Sequence, residues 1–465
     1  SEQRRPWIDW IHTTRDQGAL VRSFVKWDDL PSSPAALVEA MCRANMLTRT
    51  VPSAPVYVCL DAGLQESKLE KAPEWPDLAR YAPPAPPRPA RDAVARTAAL
   101  LRDAERPLLL VGRGARTAEA WAARVALTER LGACVMTDLK SPAAFPTDHP
   151  AHVVAPFNVL GQAAREIIGA ADAILALDWV DLGGALRQAR TVGPVTARIA
   201  SATLDHTLHN GFNMDYQSLP TVDVAIAAGA DELVTELIGA LGTGAKAPWR
   251  ERIARKPPAV TDDAVTLDHV VSSLKAAFND PERVSFASLG RGWPIDSWPF
   301  RDPLAYLGKD GGGGIGSGPG LVVGAALALH TRGRHTVAML GDGDFTMGAS
   351  ALWTAVRHRI PLLILINNNR SYFNDELHQE TVAKRRGRNP KNRWIGQRLA
   401  DPEPDLAKLA QAQGALGIGP VRSAKDVANA VERGVAALKQ GGVAVIDFQI
   451  DAHRVERTVG HRPTG

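Results

Sequence analysis

Short apolar runs alternate along the chain with amphipathic stretches of helical period, and two proline-rich breaks cut that pattern into three segments. In the first, about residues 1–72, apolar positions from Pro34 to Ala44 recur at helical spacing and predict a helix. PVYVCLD, Pro55 to Asp61, predicts a buried strand, because β-branched and apolar residues run together there. One helix and one strand are too little for a domain, so this segment is expected to be the tail of one. The stretch 73–90 contains APPAPPRPA, Ala82 to Ala90, whose proline content favours extended geometry and marks a spacer.

The middle segment, 91–245, reads as strand Leu108–Val111, a glycine turn at Gly112 and Gly114, a helix from Glu119 to Leu131 and a strand from Ala133 to Asp138. AADAILALDW and VTARIAS supply further strand candidates. A second break at 246–265, around Lys256-Pro257-Pro258, leads to the last segment, 266–450, with a tail at 451–465. There a glycine run (Gly311 to Gly320) opens a helix, Leu321–His330. Strand Thr336–Leu340, helix Ala349–His358, strand Leu362–Ile366 and a final strand Val443–Ile450 follow. Alternating strands and helices of this kind predict an α/β protein with parallel sheets flanked by helices.

Composition narrows the function classes. Hydrophobic content of 45% and charged content of 22% are those of an ordinary globular protein. A formal charge of +4 spread over 465 residues argues against nucleic acid as a partner. Cys42, Cys59 and Cys134 lack metal-ligand spacing and read as reduced thiols of a cytoplasmic protein. No apolar run reaches the roughly 18–20 residues that span a bilayer, so no membrane role is expected. The chain starts Ser-Glu-Gln-Arg-Arg-Pro, without an initiator methionine and inside an already patterned region, which raises the expectation that an N-terminal piece is missing.

The chemistry concentrates in HTVAMLGDGDFTMGASALWTAVRHRIPLLILINNNRSYF. A buried strand delivers Gly341-Asp342-Gly343 to the carboxyl edge of a sheet, where open α/β folds bind ligands. The glycines let backbone N–H groups approach an anionic oxygen, and Asp342 offers a hard carboxylate oxygen suited to Mg2+ or Ca2+. Asn369, 27 positions after Asp342, offers an amide oxygen at the end of the neighbouring strand, so the two could share one metal bridging two phosphates. A helix starting after Gly348 is expected to aim its positive end at the same diphosphate.

These residues resemble the thiamine-diphosphate fingerprint, and the whole chain resembles the acetolactate synthase, benzoylformate decarboxylase and pyruvate decarboxylase group. The resemblance implies thiamine diphosphate and Mg2+ as cofactors, with Asp342, Asn369 and the backbone carbonyl of Ser371 as metal ligands and Gly341, Gly343 and Asp344 beside the diphosphate. From GGGGIGSGPGLVVGAALAL it further implies that Ile315 props the bent cofactor and that the Gly313 carbonyl accepts from the aminopyrimidine. Residues 266–450 match the diphosphate-binding domain, 91–245 the central domain, and 1–72 the last part of a pyrimidine-binding domain. The implied activity is decarboxylation or carboligation of a 2-keto acid in a dimer or tetramer, the cofactor lying between domains of two subunits. FAD, which some members bind, is not required by anything in the chain.

One departure matters. The family glutamate that activates the aminopyrimidine belongs to the early pyrimidine domain, and Glu2 and Glu39 lie in no matching context. No catalytic residue is therefore assigned, and the chain alone is expected to be inactive, with another chain or segment supplying that domain. A partner-dependent or non-catalytic binding subunit thus stays open, as does a nucleotide-binding oxidoreductase resting on Gly112 and Gly114. His358, His378 and the basic run Lys384, Arg385, Arg386, Arg388, Lys391 and Arg393 are weaker candidates, as acid–base groups and as a lid over an anionic substrate.

Overall fold

LLILINN, the run Leu362–Asn368, is buried at every position, which is what a central strand covered on both faces requires. It lies at the middle of a five-stranded sheet ordered Leu416–Val421, Val443–Gln449, Leu362–Asn368, His335–Gly341, Val284–Ser288. Every neighbouring pair is parallel. The computed structural model describes residues 14–155, 160–207, 218–253, 263–290, 292–309 and 314–451.

Side chains of the strands alternate between two cores. Val337, Met339, Leu363, Leu365 and Ile446 meet the helices Leu267–Ala277 and Ala424–Lys439 on one face. Ala338, Leu340, Ile364, Ile366 and Val445 meet Gly318–His330, Ala351–Arg357 and Leu406–Ala412 on the other. Helix starts follow local chemistry: Thr266 caps Leu267–Ala277 by accepting from His269 N at 3.3 Å.

In the middle of the chain, strands Cys134–Met136, Pro107–Val111, Ala173–Leu177, Arg198–Ala202 and Val224–Ile226 form a second five-stranded sheet in that order. Pairings Leu108 with Cys134 and Ala200 with Val224 are parallel. By compactness the chain divides into two units, residues 1–103, 175–187 and 198–242, and residues 104–174, 188–197 and 243–465. Among the described residues no helix is long and apolar enough to cross a membrane.

The parallel α/β architecture is the expected one, with corrections in detail. The first helix runs on to Arg49, begun by Pro34 at its first turn and capped by Ser33. The expected buried strand is three residues, Val56–Val58, and only half-buried, because among the described residues it pairs only with Trp27–Asp29, a strand the apolar pattern did not announce. The expected helix Ala349–His358 is found as Ala351–Arg357, and a helix the sequence reading did not place, Asp342–Gly348, comes before it.

Candidate metal and diphosphate site

Strand His335–Gly341 and strand Leu362–Asn368 end side by side, with Asn367 paired to Gly341, so Asp342 and Asn369 leave the sheet at the same edge. A helix begins at Asp342 itself, with Gly341 as its N-cap. The helix expected after Gly348 is present as Ala351–Arg357, and Asp342–Gly348 is an additional helix that precedes it. The early turn is closed by Thr346, whose Oγ1 donates to the Asp342 carbonyl at 2.7 Å.

Asp342 is 3% exposed. Its Oδ1 accepts from Gly343 N at 3.0 Å and its Oδ2 from Ser371 N at 3.1 Å. The same Ser371 N–H lies 3.0 Å from Asn369 Oδ1. Two candidate ligand oxygens thus converge on a single amide. The tight turn that does this passes through Arg370 at φ +59°, a left-handed conformation uncommon for a residue with a side chain and a frequent mark of functional sites.

Burial pushes the Asp342 carboxyl up to about 6, against the pull of the backbone N–H groups around it. The leading causes are burial and backbone N–H groups, so a positive charge placed here would relieve the carboxylate. Among the described residues no group of three or more His, Cys, Asp and Glu gathers to hold a metal. One carboxylate with amide and carbonyl oxygens suits a hard cation that completes its shell with phosphate and water, as Mg2+ does.

The surroundings leave room for such a ligand. A Cβ added at Gly341 or Gly314 would meet no atom within 4 Å. At Gly343, by contrast, it would come 2.2 Å from Tyr372 Cε1, so the Tyr372 ring closes that side and only glycine fits. Asp344 faces the glycine-rich loop: its Oδ1 accepts from Gly316 N at 2.6 Å and Gly318 N at 3.2 Å. Ile315 is 48% exposed on that loop, with Met347 beside Gly316. Gly313, the expected carbonyl acceptor, and Glu2 lie outside the described residues.

Other candidates fall elsewhere. His358 closes the helix Ala351–Arg357 and is exposed; His378 is exposed on the helix Phe373–Arg385. Lys384 and Arg393, two members of the basic run, form ion pairs with Glu380. After Gly112 and Gly114 the helix starts only at Ala118 and is capped by Thr117, too late for the strand–turn–helix of a dinucleotide fingerprint. Asn368, read from the sequence only as the neighbour of Asn369, donates through Nδ2 to Asp447 Oδ1 at 2.9 Å, and Glu376, to which sequence reasoning assigned no role, accepts from Ser371 Oγ at 2.5 Å. Asn368 and Asp447 lie 79 residues apart, on strands that no local pattern connects.

Residues 291–448 match the family model described as "Thiamine pyrophosphate enzyme, C-terminal TPP binding domain", and residues 94–237 match its "central domain". The chain is 26% identical to sulfoacetaldehyde acetyltransferase of Rhodobacter capsulatus, over 94% of this chain and 75% of that protein. It is 24% identical to the acetolactate synthase large subunit of Corynebacterium glutamicum, over 90% of this chain and 66% of that protein. The crystal structure of benzoylformate decarboxylase from Polynucleobacter necessarius superposes with a TM-score of 0.75 at 20% identity, covering 96% of this chain and 81% of that one. The chain spans 61% of the length of a second sulfoacetaldehyde acetyltransferase, from Alcaligenes xylosoxydans xylosoxydans.

Proposed function

Since the chain belongs to the thiamine pyrophosphate enzymes, we propose that Asp342, Asn369 and the Ser371 carbonyl hold Mg2+, and through it the diphosphate of thiamine diphosphate. The observation that carries this reading is the convergence of Asp342 Oδ2 and Asn369 Oδ1 on the one Ser371 amide. Asp342 supplies the charge, its buried position keeps water from competing, and Gly341 and Gly343 let the backbone approach phosphate oxygens. Asp344 shapes the site by holding the loop that presents Ile315, which would then contact the cofactor's rings. Residues 266–450 serve in this reading as the diphosphate domain and 91–245 as the central domain.

The chemistry that thiamine diphosphate supplies when bound is a carbon nucleophile for a 2-keto acid carbonyl and a sink for the electrons that decarboxylation leaves behind. The proposed activity is decarboxylation of a 2-keto acid, followed by protonation or by transfer to a second carbonyl. The names of the acetolactate synthase and sulfoacetaldehyde acetyltransferase relatives support the transfer outcome, and the benzoylformate decarboxylase neighbour the simpler one. We assign the protein to a homo-oligomer as well, on its outward apolar helices: Leu321, Leu327, Met347 and Trp353 are all exposed.

Asp342→Ala tests the ligand assignment. Calorimetry with thiamine diphosphate and Mg2+ is expected to show metal-dependent binding lost while circular dichroism stays that of the parent. Parent-like affinity in that variant would remove Asp342 from the site.

A further inference from the structure

The Ser371 peptide is held from two sides. Its N–H meets Asp342 and Asn369, while its hydroxyl donates to Glu376 Oε1 at 2.5 Å and lies 3.2 Å from the Gln397 carbonyl. A returning segment pairs with this turn: Tyr372 N donates to Gln397 O at 2.9 Å, Leu399 N to Arg370 O at 2.8 Å, and Ser371 bridges Arg398 in antiparallel fashion.

Glu376 stands at the centre of the arrangement. It is 6% exposed, in the first turn of Phe373–Arg385, and its Oε2 lies 3.5 Å from Arg393 Nε. Arg393 also pairs with Glu380, which takes Lys384 Nζ at 2.6 Å. The helix does not need the Glu376 side chain to begin, since the Glu376 N–H already donates to Tyr372 O at 3.2 Å. A carboxylate costs several kcal/mol to bury and is retained where partners or function demand it. Here its hydrogen-bond partner is the hydroxyl of the residue whose amide joins Asp342 and Asn369.

We propose that Glu376 is a positioning residue for the metal subsite: by anchoring the Ser371 hydroxyl it sets the Asn369–Arg370–Ser371 turn and keeps the Asp342 and Asn369 oxygens together. This rests on the assignment of Asp342, Asn369 and Ser371 as metal ligands. It extends that assignment to a residue on a separate helix and to the segment that carries Arg393.

The test is thiamine diphosphate binding by the full chain, measured by calorimetry at saturating Mg2+ and again in EDTA. The variants are Glu376→Ala, Ser371→Ala, the two together, Glu376→Gln and Asp342→Asn. Residues that orient metal ligands typically change affinity by about 10–100-fold, and a loss of that size is expected for Glu376→Ala with Mg2+ but none in EDTA. The double variant is expected to bind no worse than Glu376→Ala alone, because both changes break one link. Glu376→Gln, still able to accept from Ser371, is expected to recover most of the affinity, and should Glu376→Ala fail to fold, Ser371→Ala carries the same expectation. Parent-like binding at Mg2+, equal losses with and without Mg2+, or fully additive losses would each overturn the proposal. Mg2+ dependence that survives Asp342→Asn would instead overturn the ligand assignment beneath it.

Discussion

A 2.2 Å approach between a Cβ at residue 343 and the Tyr372 ring leaves no room for even one methyl group. Gly343→Ala is therefore expected to push Tyr372 aside, lower stability by about 1–3 kcal/mol in urea unfolding and weaken Mg2+-dependent cofactor binding. Ile315 behaves in the opposite way. Half exposed, it contributes little to the core, so Ile315→Ala is expected to leave stability within about 0.5 kcal/mol of the parent. In a catalytically complete assembly it is expected to lower turnover more than cofactor affinity, because the side chain shapes the bound cofactor rather than holding its phosphates. A turnover unchanged by the substitution would end that role. Asp342 and Asn369 could be nominated from their interval alone, whereas Asp344's hold on the loop could not: its partners, Gly316 and Gly318, lie 28 and 26 residues upstream and no periodicity links them.

At the scale of elements, the polar ends of the strands show what a pattern of apolar runs leaves out. The strand Leu362–Asn368 continues two residues beyond its apolar run, and the extra polar side chain at Asn368 meets Asp447 on the adjacent strand Val443–Gln449. Burial pushes the Asp447 carboxyl up to about 6; the Asn368 amide pulls it down, and Glu403 and Asp405 add to the rise. The folded value lies above the ordinary 3.8, so the folded state binds the proton more tightly than the unfolded one between those limits. The stabilising contribution is full below about pH 4 and is lost as pH rises through about 6, on the order of 3 kcal/mol in all. Asp447→Asn is expected to match the parent at pH 4 and to exceed it in denaturant unfolding at pH 7. Equal stability at both pH values would mean the carboxylate is solvated in solution. Helix boundaries shifted for a similar reason of context: a Cβ at Gly348 would lie 2.3 Å from the Gly316 carbonyl, a close approach that the local sequence does not disclose.

For the whole molecule, the helix Gly318–His330 poses the main question. Val322, Val323, Ala326 and Leu329 are buried beneath it, yet Leu321, Gly324, Leu327 and Ala328 on its outer side are apolar too and exposed. A helix apolar all round belongs in an interior, and in the homo-oligomer proposed above a second copy of the chain would be its occupant. Met347 and Trp353, 62% and 58% exposed on the next two helices of the chain, offer further apolar surface. Trp353→Glu is expected to reduce the sedimenting mass while leaving the unfolding midpoint of the separated chain nearly unchanged. A sedimentation profile identical to the parent's would exclude this face from the contact.

From sequence alone came the parallel α/β class, the order of the strands along the chain and the pair Asp342 and Asn369, because apolar periodicity and a spaced motif are local properties that each segment carries wherever it lies. Tertiary structure decided which strands are neighbours, and hence that Gly341 pairs with Asn367 and both motif ends leave one edge of the sheet. It also decided that one amide, Ser371 N, meets both oxygens, and that Glu376 stands behind it. The strand pairing and the Ser371–Asp342 contact join segments far apart in the chain, and their distances exist only once the two cores on either face of the sheet have packed.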